Sequence, residues 1–148
     1  MNDRYLYRAK RTDNGEWVEG HYITNEKDIN HAYIGYLFGV VDGMVHDTDI
    51  VEVIPCTICQ CTGKRDNTRT KEFPEGKLIF EHDIIGFLDT YSTESGYAEQ
   101  DCIGEVLWDD EELCFYVTER LSAESYEVLD DCKIIGNRFD NPELLEVE

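Results

Sequence analysis

Short runs of β-branched and aromatic residues, cut at close intervals by turn residues, constrain this chain more than any other feature of its sequence. Tyr5–Lys10 and Trp17–Ile23 flank Asn14-Gly15, a dipeptide that tolerates the positive φ of a tight hairpin turn. Tyr33–Val41 runs into Asp42-Gly43, which predicts a second tight turn into Met44–His46. Ile50–Ile54 halts at Pro55, Thr57–Thr62 closes at Gly63, and Phe73-Pro74-Glu75-Gly76 punctuates before Leu78–Phe80. Asp83–Leu88 follows. Ile103–Trp108 and Leu113–Val117 then flank the acidic turn Asp109–Glu112, and Lys133–Ile135 reads as the closing strand. Strands at this spacing predict a mainly β fold (a β-rich α+β chain) built from rolled antiparallel sheets, with one or two short helices. The polar stretches Thr24–Asn30 and Asp89–Asp101 read as loops, the second of them acidic and exposed. Leu121–Leu129 predicts a helix capped by Ser122. At the end, Gly136-Asn137 predicts a turn, and Asn141-Pro142-Glu143 predicts a capped helix start leading through Leu144 and Leu145.

Length and apolar content set the organisation. A chain of 148 residues, 41% hydrophobic, can bury a core of its own. It reads as one domain over residues 1–148, or as two packed lobes of about 1–63 and 77–148. No apolar run approaches the ~20 residues that span a bilayer. The N-terminal Met1–Arg8 lacks the apolar core of a signal peptide. The expectation is a cytoplasmic protein whose six cysteines stay reduced.

Charge is the second strong signal. The net charge is −20, and it is unevenly spread. Between Leu78 and Glu119 there are 12 acids and no lysine or arginine. Such a field repels phosphate backbones and attracts basic partners. The opposing feature is a modest basic loop over 64–77, carrying Lys64, Arg65, Arg69, Lys71 and Lys77.

Several constellations invite chemistry and do not support it. Cys56-x-x-Cys59-x-Cys61 has one knuckle-like pair, whereas tetrahedral zinc takes four ligands, commonly from two such pairs. On a strand Cys56 would face away from Cys59 and Cys61, and Cys102, Cys114 and Cys132 occur singly in other runs. Packed thiols are the expectation. The histidines, His21, His31, His46 and His82, have no ligand spacing, and His82 would point away from Asp83 on a strand. Ser122 and Ser125 have no recognisable histidine partner. Carboxylates are abundant enough that pairs at catalytic separation arise by chance. Trp17 and Trp108 sit among apolar neighbours and read as core residues. No catalytic, cofactor-binding or metal-binding residue is therefore singled out.

Ordered blocks along nearly the whole chain resemble the YopX family of phage and prophage proteins. They are Tyr7-Arg8-Ala9, Gly15-Glu16-Trp17-Val18-Glu19-Gly20, Thr57-Ile58-Cys59-Gln60-Cys61-Thr62-Gly63 with the charged Lys64-Arg65-Asp66, Asp83-Ile84-Ile85, Gly104-Glu105-Val106-Leu107-Trp108 with Phe115, and the ending Ile135-Gly136-Asn137 through Asn141-Pro142-Glu143-Leu144-Leu145. Departures are His82 where the pattern has glycine, and longer segments at Thr68–Gly76 and Asp89–Asp101. The resemblance implies an SH3-like small barrel in the C-terminal half, self-association and no cofactor. It carries no established activity. The expectation is a non-catalytic accessory protein of phage or prophage origin in the bacterial cytoplasm, acting by macromolecular binding or self-association. Its acidic face would meet a basic protein partner, in the sharper form by mimicking DNA charge. One alternative is nucleic-acid binding through a small barrel and the 64–77 loop. Another is an uncharacterised enzyme.

Overall fold

The first hairpin forms where the sequence places it. Gly15 takes φ +72° between β1 (Tyr7–Lys10) and β2 (Trp17–Asn25), and the turn closes with Arg11 N–H donating to the Glu16 carbonyl at 2.9 Å. The computed structural model describes residues 5–25, 27–41 and 44–146, and the side chains of all these except 25, 29, 37–41 and 44–47. Among the described residues, ten strands and two kinds of short helix make the protein mainly β. It divides into two compact units, residues 1–61 and 62–148.

In the first unit β1 pairs with β2, β2 with β3 (Asp28–Val41), and β3 with β4 (Met44–Val53), all antiparallel. The opposite side of β1 pairs with β5 (Cys59–Arg65), giving the order β4-β3-β2-β1-β5. Of Thr24–Asn30, expected as a loop, Thr24 and Asn25 belong to β2 and residues 28–30 to β3, with Asn25 opposite Asp28. Its polarity misleads because an antiparallel ladder tolerates a solvated face. The expected turn at Asp42-Gly43 lies outside the described residues. Alternation puts Ala9, Ala32, Ile34, Val51 and Val53 into one buried cluster. Pro55 ends β4 as expected and opens a single 3-10 turn, Pro55–Thr57, because its ring presets helical φ and removes a ladder donor.

β5 continues into the second unit, where Thr62 Oγ1 donates to the Ile79 carbonyl of β6 (Leu78–Phe80) at 2.8 Å. A four-stranded antiparallel sheet follows in the order β10-β7-β8-β9, from β7 (Asp83–Thr93), β8 (Gly96–Asp109), β9 (Cys114–Val117) and β10 (Lys133–Asn137). Among the described residues β10 and β9 are its edges. The small-barrel expectation is met only as far as an antiparallel sheet packed on a short helix. That helix, α1 (Ser125–Asp130), supplies Val128 and Leu129 to a core with Ile79, Ile85, Phe87, Cys102, Val106, Val117 and Cys132.

The helix is shorter than Leu121–Leu129, and Glu124, not Ser122, precedes its first turn. Ser122 is drawn away by a buried carboxylate. Asp89 Oδ1 accepts from the Ala123 amide at 3.0 Å and the Ser122 amide at 3.4 Å, while Oδ2 accepts from the Leu121 amide at 2.7 Å. The predicted acidic loop Asp89–Asp101 is also mostly strand: β7 and β8 stay in register from Phe87↔Cys102 to Thr93↔Gly96. From Tyr91 to Tyr97 the ribbon is exposed on both faces, so its sequence has no need of apolar alternation and reads like a loop.

Candidate functional site

Alternation on β8 decides what faces outward from the second unit's sheet. Cys102, Gly104 and Val106 turn inward, leaving Ile103, Glu105 and Leu107 on the other face. Gly104 is required by close approach, since a Cβ there would fall on the Thr118 carbonyl oxygen. The Thr118 side chain returns the contact, its Oγ1 accepting from the Glu105 amide at 2.9 Å.

Glu105 is 3% exposed, a costly place for a carboxylate unless it is fully paired. Arg138 supplies a two-pronged partner, with Nε and Nη2 each 2.6 Å from a different carboxylate oxygen. His82 adds Nδ1 at 2.9 Å from Oε2. The turn after β10 delivers Arg138, because Asn137 Oδ1 accepts from the Phe139 and Asp140 amides at 3.0 and 2.9 Å. The Arg138 amide then donates to the His82 carbonyl at 2.9 Å. His82 stands at φ +71°, a left-handed conformation that glycine adopts more easily. Its ring is steadied edge-on against Phe139, with centroids 5.5 Å apart.

Burial would raise the Glu105 pKa, but the hydrogen bonds from Arg138 and His82 outweigh it and hold the carboxyl below its ordinary range. The Arg138 guanidinium is raised in turn, chiefly by its hydrogen bonds to Glu105. The Glu105 carboxylate thus meets Arg138 and His82 at once. The triad therefore works as a tie between strand, turn and C-terminal segment. Glu105 and Arg138 line a cleft of about 720 Å³ with Ile103, Leu107, Leu144 and Leu145. Acids also line it: Asp101, Glu119 and Glu146. An ionised rim around aliphatic walls suits a ligand carrying both positive charge and apolar carbon.

Asp66 is the other buried hub of this unit, 1% exposed. Its oxygens accept from the amides of Thr68 (3.0 Å), Lys77 (2.8 Å) and Ile134 (2.9 Å) and from Thr68 Oγ1 (2.9 Å). Burial pushes its pKa up, and these donors together bring it below the usual carboxylate value. Asp66 orders the basic loop, which turns out to be engaged with its own unit. Arg65 Nη1 donates to the Gly76 carbonyl and Arg69 Nη1 to the carbonyls of Asp66 and Thr68. Lys64 pairs with Asp130 at 2.7 Å and Lys77 lies over the Phe73 ring.

The remaining candidates are scattered. Cys59 and Cys61 are buried on β5, whereas Cys56 is exposed on the preceding 3-10 turn, and none of the six cysteines forms a disulfide. Among the described residues no group of three or more His, Cys, Asp or Glu could hold a metal ion. His31 is exposed beside Asp28 at 2.7 Å, His21 is exposed, and the His46 side chain lies outside the described set. Ser125 Oγ accepts from the Val117 amide. Trp17 and Trp108 are half-buried: Arg8 lies 4.7 Å from the Trp17 ring centroid, and Trp108 Nε1 donates to Asp110.

A comparison with known families matches residues 6–146 to the family described as YopX protein. The chain belongs to the YopX family. No curated protein and no solved structure matches it. The YopX blocks in this chain supply both backbone and cleft: Glu105, Leu107, Leu144 and Leu145 line the cleft. Ala9 and Val106 are core residues, Gly104 admits a neighbouring carbonyl, and Asn137 and Asn141 shape the last turn. Asp66, Asp89, Glu105 and Arg138 were not singled out from sequence. One legible signal was Glu105 itself, an acid inside the apolar run Ile103–Trp108.

Proposed function

We propose that this YopX-family protein is a non-catalytic accessory protein of phage or prophage origin, acting in the bacterial cytoplasm by binding a basic protein. The observation that carries this reading is the segment Leu78–Glu119 of the C-terminal unit, where the exposed aliphatic side chains Leu88, Ile103 and Leu113 stand among 12 acids, three of them buried, with no lysine or arginine in the segment. Basic partners are drawn to such a field, and the apolar residues give them something to bury. Against direct nucleic-acid binding stand the net charge and the internal commitments of Lys64, Arg65, Arg69 and Lys77.

The test is affinity capture from bacterial extract at low and high salt, beside titrations with single- and double-stranded DNA. The expected result is a retained set that is basic and released by about 0.5 M NaCl, where screening shortens to a few ångströms, with flat DNA titrations. Retention of neutral or acidic proteins indifferent to salt, or saturable DNA binding, overturns the reading.

A further inference from the structure

The β7–β8 ribbon carries more apolar surface than solubility explains. β10 covers β7 only from Asp83 to Gly86, and β9 covers β8 only from Val106 to Asp109. From Phe87↔Cys102 outward, the ribbon has no third strand among the described residues. Register sets its two faces apart. Phe87 and Cys102 point into the core, while the opposite face reads Gly86↔Ile103, Leu88↔Asp101, Thr90↔Glu99 and Ser92↔Tyr97. On that face Leu88 is 55% exposed, Ile103 45%, Tyr97 80% and the neighbouring Ile135 of β10 41%. Leu88, Ile103 and Ile135 border a depression of about 490 Å³, with Asp101 and Asp131 also lining it. Lys133 is the one cation among its lining residues.

We infer that this face docks an extended basic segment of a partner protein, whose side chains alternate with the pleat of the ribbon. This rests on the basic-partner reading above and names the surface and the ligand pattern. Along β8 the outward side chains run Ile103, Asp101, Glu99, Tyr97, in steps of about 7 Å. An extended chain has the same period, so it presents complementary groups in the same order: aliphatic, cationic, cationic, then aliphatic or aromatic. The first anchor fills the depression between Leu88, Ile103 and Ile135. The two cations meet Asp101 and Glu99, and the last group packs on Tyr97. A second copy of this chain is disfavoured as occupant, because it would bring acids against acids.

The probe is a heptapeptide with leucine at its first and seventh positions, lysine at its third and fifth, and threonine between. It is compared with a scrambled peptide of identical composition and with the version carrying glutamate for lysine. Binding is read by fluorescence anisotropy and by backbone amide shifts, which also show that each variant is folded. The ordered peptide binds, the scrambled one binds about tenfold more weakly, and the acidic one does not bind. The double variants Leu88→Ser/Ile103→Ser and Glu99→Gln/Asp101→Asn each weaken binding by about tenfold. Glu111→Gln/Glu112→Gln removes equal charge in the β8–β9 turn and leaves binding within about twofold. If basic peptides bind but ignore order, or if all three double variants weaken them equally, the docking face falls and the basic-partner reading stands. If no basic peptide or basic protein binds, both fall. Dimerisation through Leu88 and Ile103 in place of peptide binding also overturns the inference.

Discussion

Single buried carboxylates organise the C-terminal unit, and each is an acid whose charge the fold requires. Removing the Asp66 side chain leaves the amides of Thr68, Lys77 and Ile134 without their acceptor. Asp66→Ala should therefore cost about 3 kcal/mol or more, measured by urea unfolding. Asp66, Asp89 and Glu105 all have folded pKa values below their ordinary ones: burial alone would raise each, and the hydrogen bonds overcome it. For depressed groups the stabilisation is complete above the unfolded values, about 4 to 4.5, and is lost as pH falls through the folded values. The unfolding midpoint should thus hold between about pH 7 and 5 and drop below about pH 4, less steeply in Glu105→Gln. His82 tests the glycine departure. Glycine there relieves a left-handed residue but removes the imidazole from Glu105, so His82→Gly should stay within about 1 kcal/mol of the parent. The β-branched His82→Val loses both advantages and should cost about 2 kcal/mol, read by the same denaturation curves.

At the scale of elements, the ribbon is the part of the fold with the least support. An isolated two-stranded ladder is marginal in water, and here, among the described residues, it is held where β10 and β9 flank its base and where Asp89 takes the amides of Leu121–Ala123. Hydrogen exchange should show amides from Leu88 to Asp101 opening well before those of Ile84, Ile85 and Val106, whose side chains are fully buried. Equal protection along the strands would mean that something else covers the ribbon. Gly104 marks the opposite extreme. Gly104→Ala forces a methyl into the Thr118 carbonyl and should destabilise by about 2 kcal/mol or more, because backbone cannot yield as a side chain does. The last turn shows the same economy of space. Gly136 does not adopt positive φ as its pairing with Asn137 suggested; it gives room to the Asn141 side chain, whose Oδ1 accepts from the Asn137 amide at 3.2 Å. Asn141 thus braces the turn behind it, and Pro142–Leu145 is a 3-10 turn without a side-chain cap.

Over the whole molecule, a charge of −20 sets solution behaviour. Self-repulsion lowers stability at low ionic strength and is screened as salt rises. The thermal midpoint should rise by about 5 °C between about 20 and 300 mM NaCl, as followed by circular dichroism. The same salt should weaken any basic partner, so the two effects have opposite signs and separate cleanly. No helix among the described residues is long and apolar enough to cross a membrane.

Local chemistry made much of this legible in advance. Asn14-Gly15, Pro55 and the acidic turn at Asp109–Glu112 act through backbone preferences within a few residues, so strands and their breaks could be read directly. The chain-long order of blocks identified the family. Sequence alone therefore determined a β-rich chain, its punctuation and its acidic character. Only tertiary structure decided that Asp89–Asp101 is ribbon, that Ser122 serves Asp89, and that Glu105 meets Arg138 and His82. The last two outcomes depend on partners 33, 33 and 23 positions away. A polar residue's identity does not encode which distant donor will reach it, because long-range pairing is set by sheet register and by the space the core leaves.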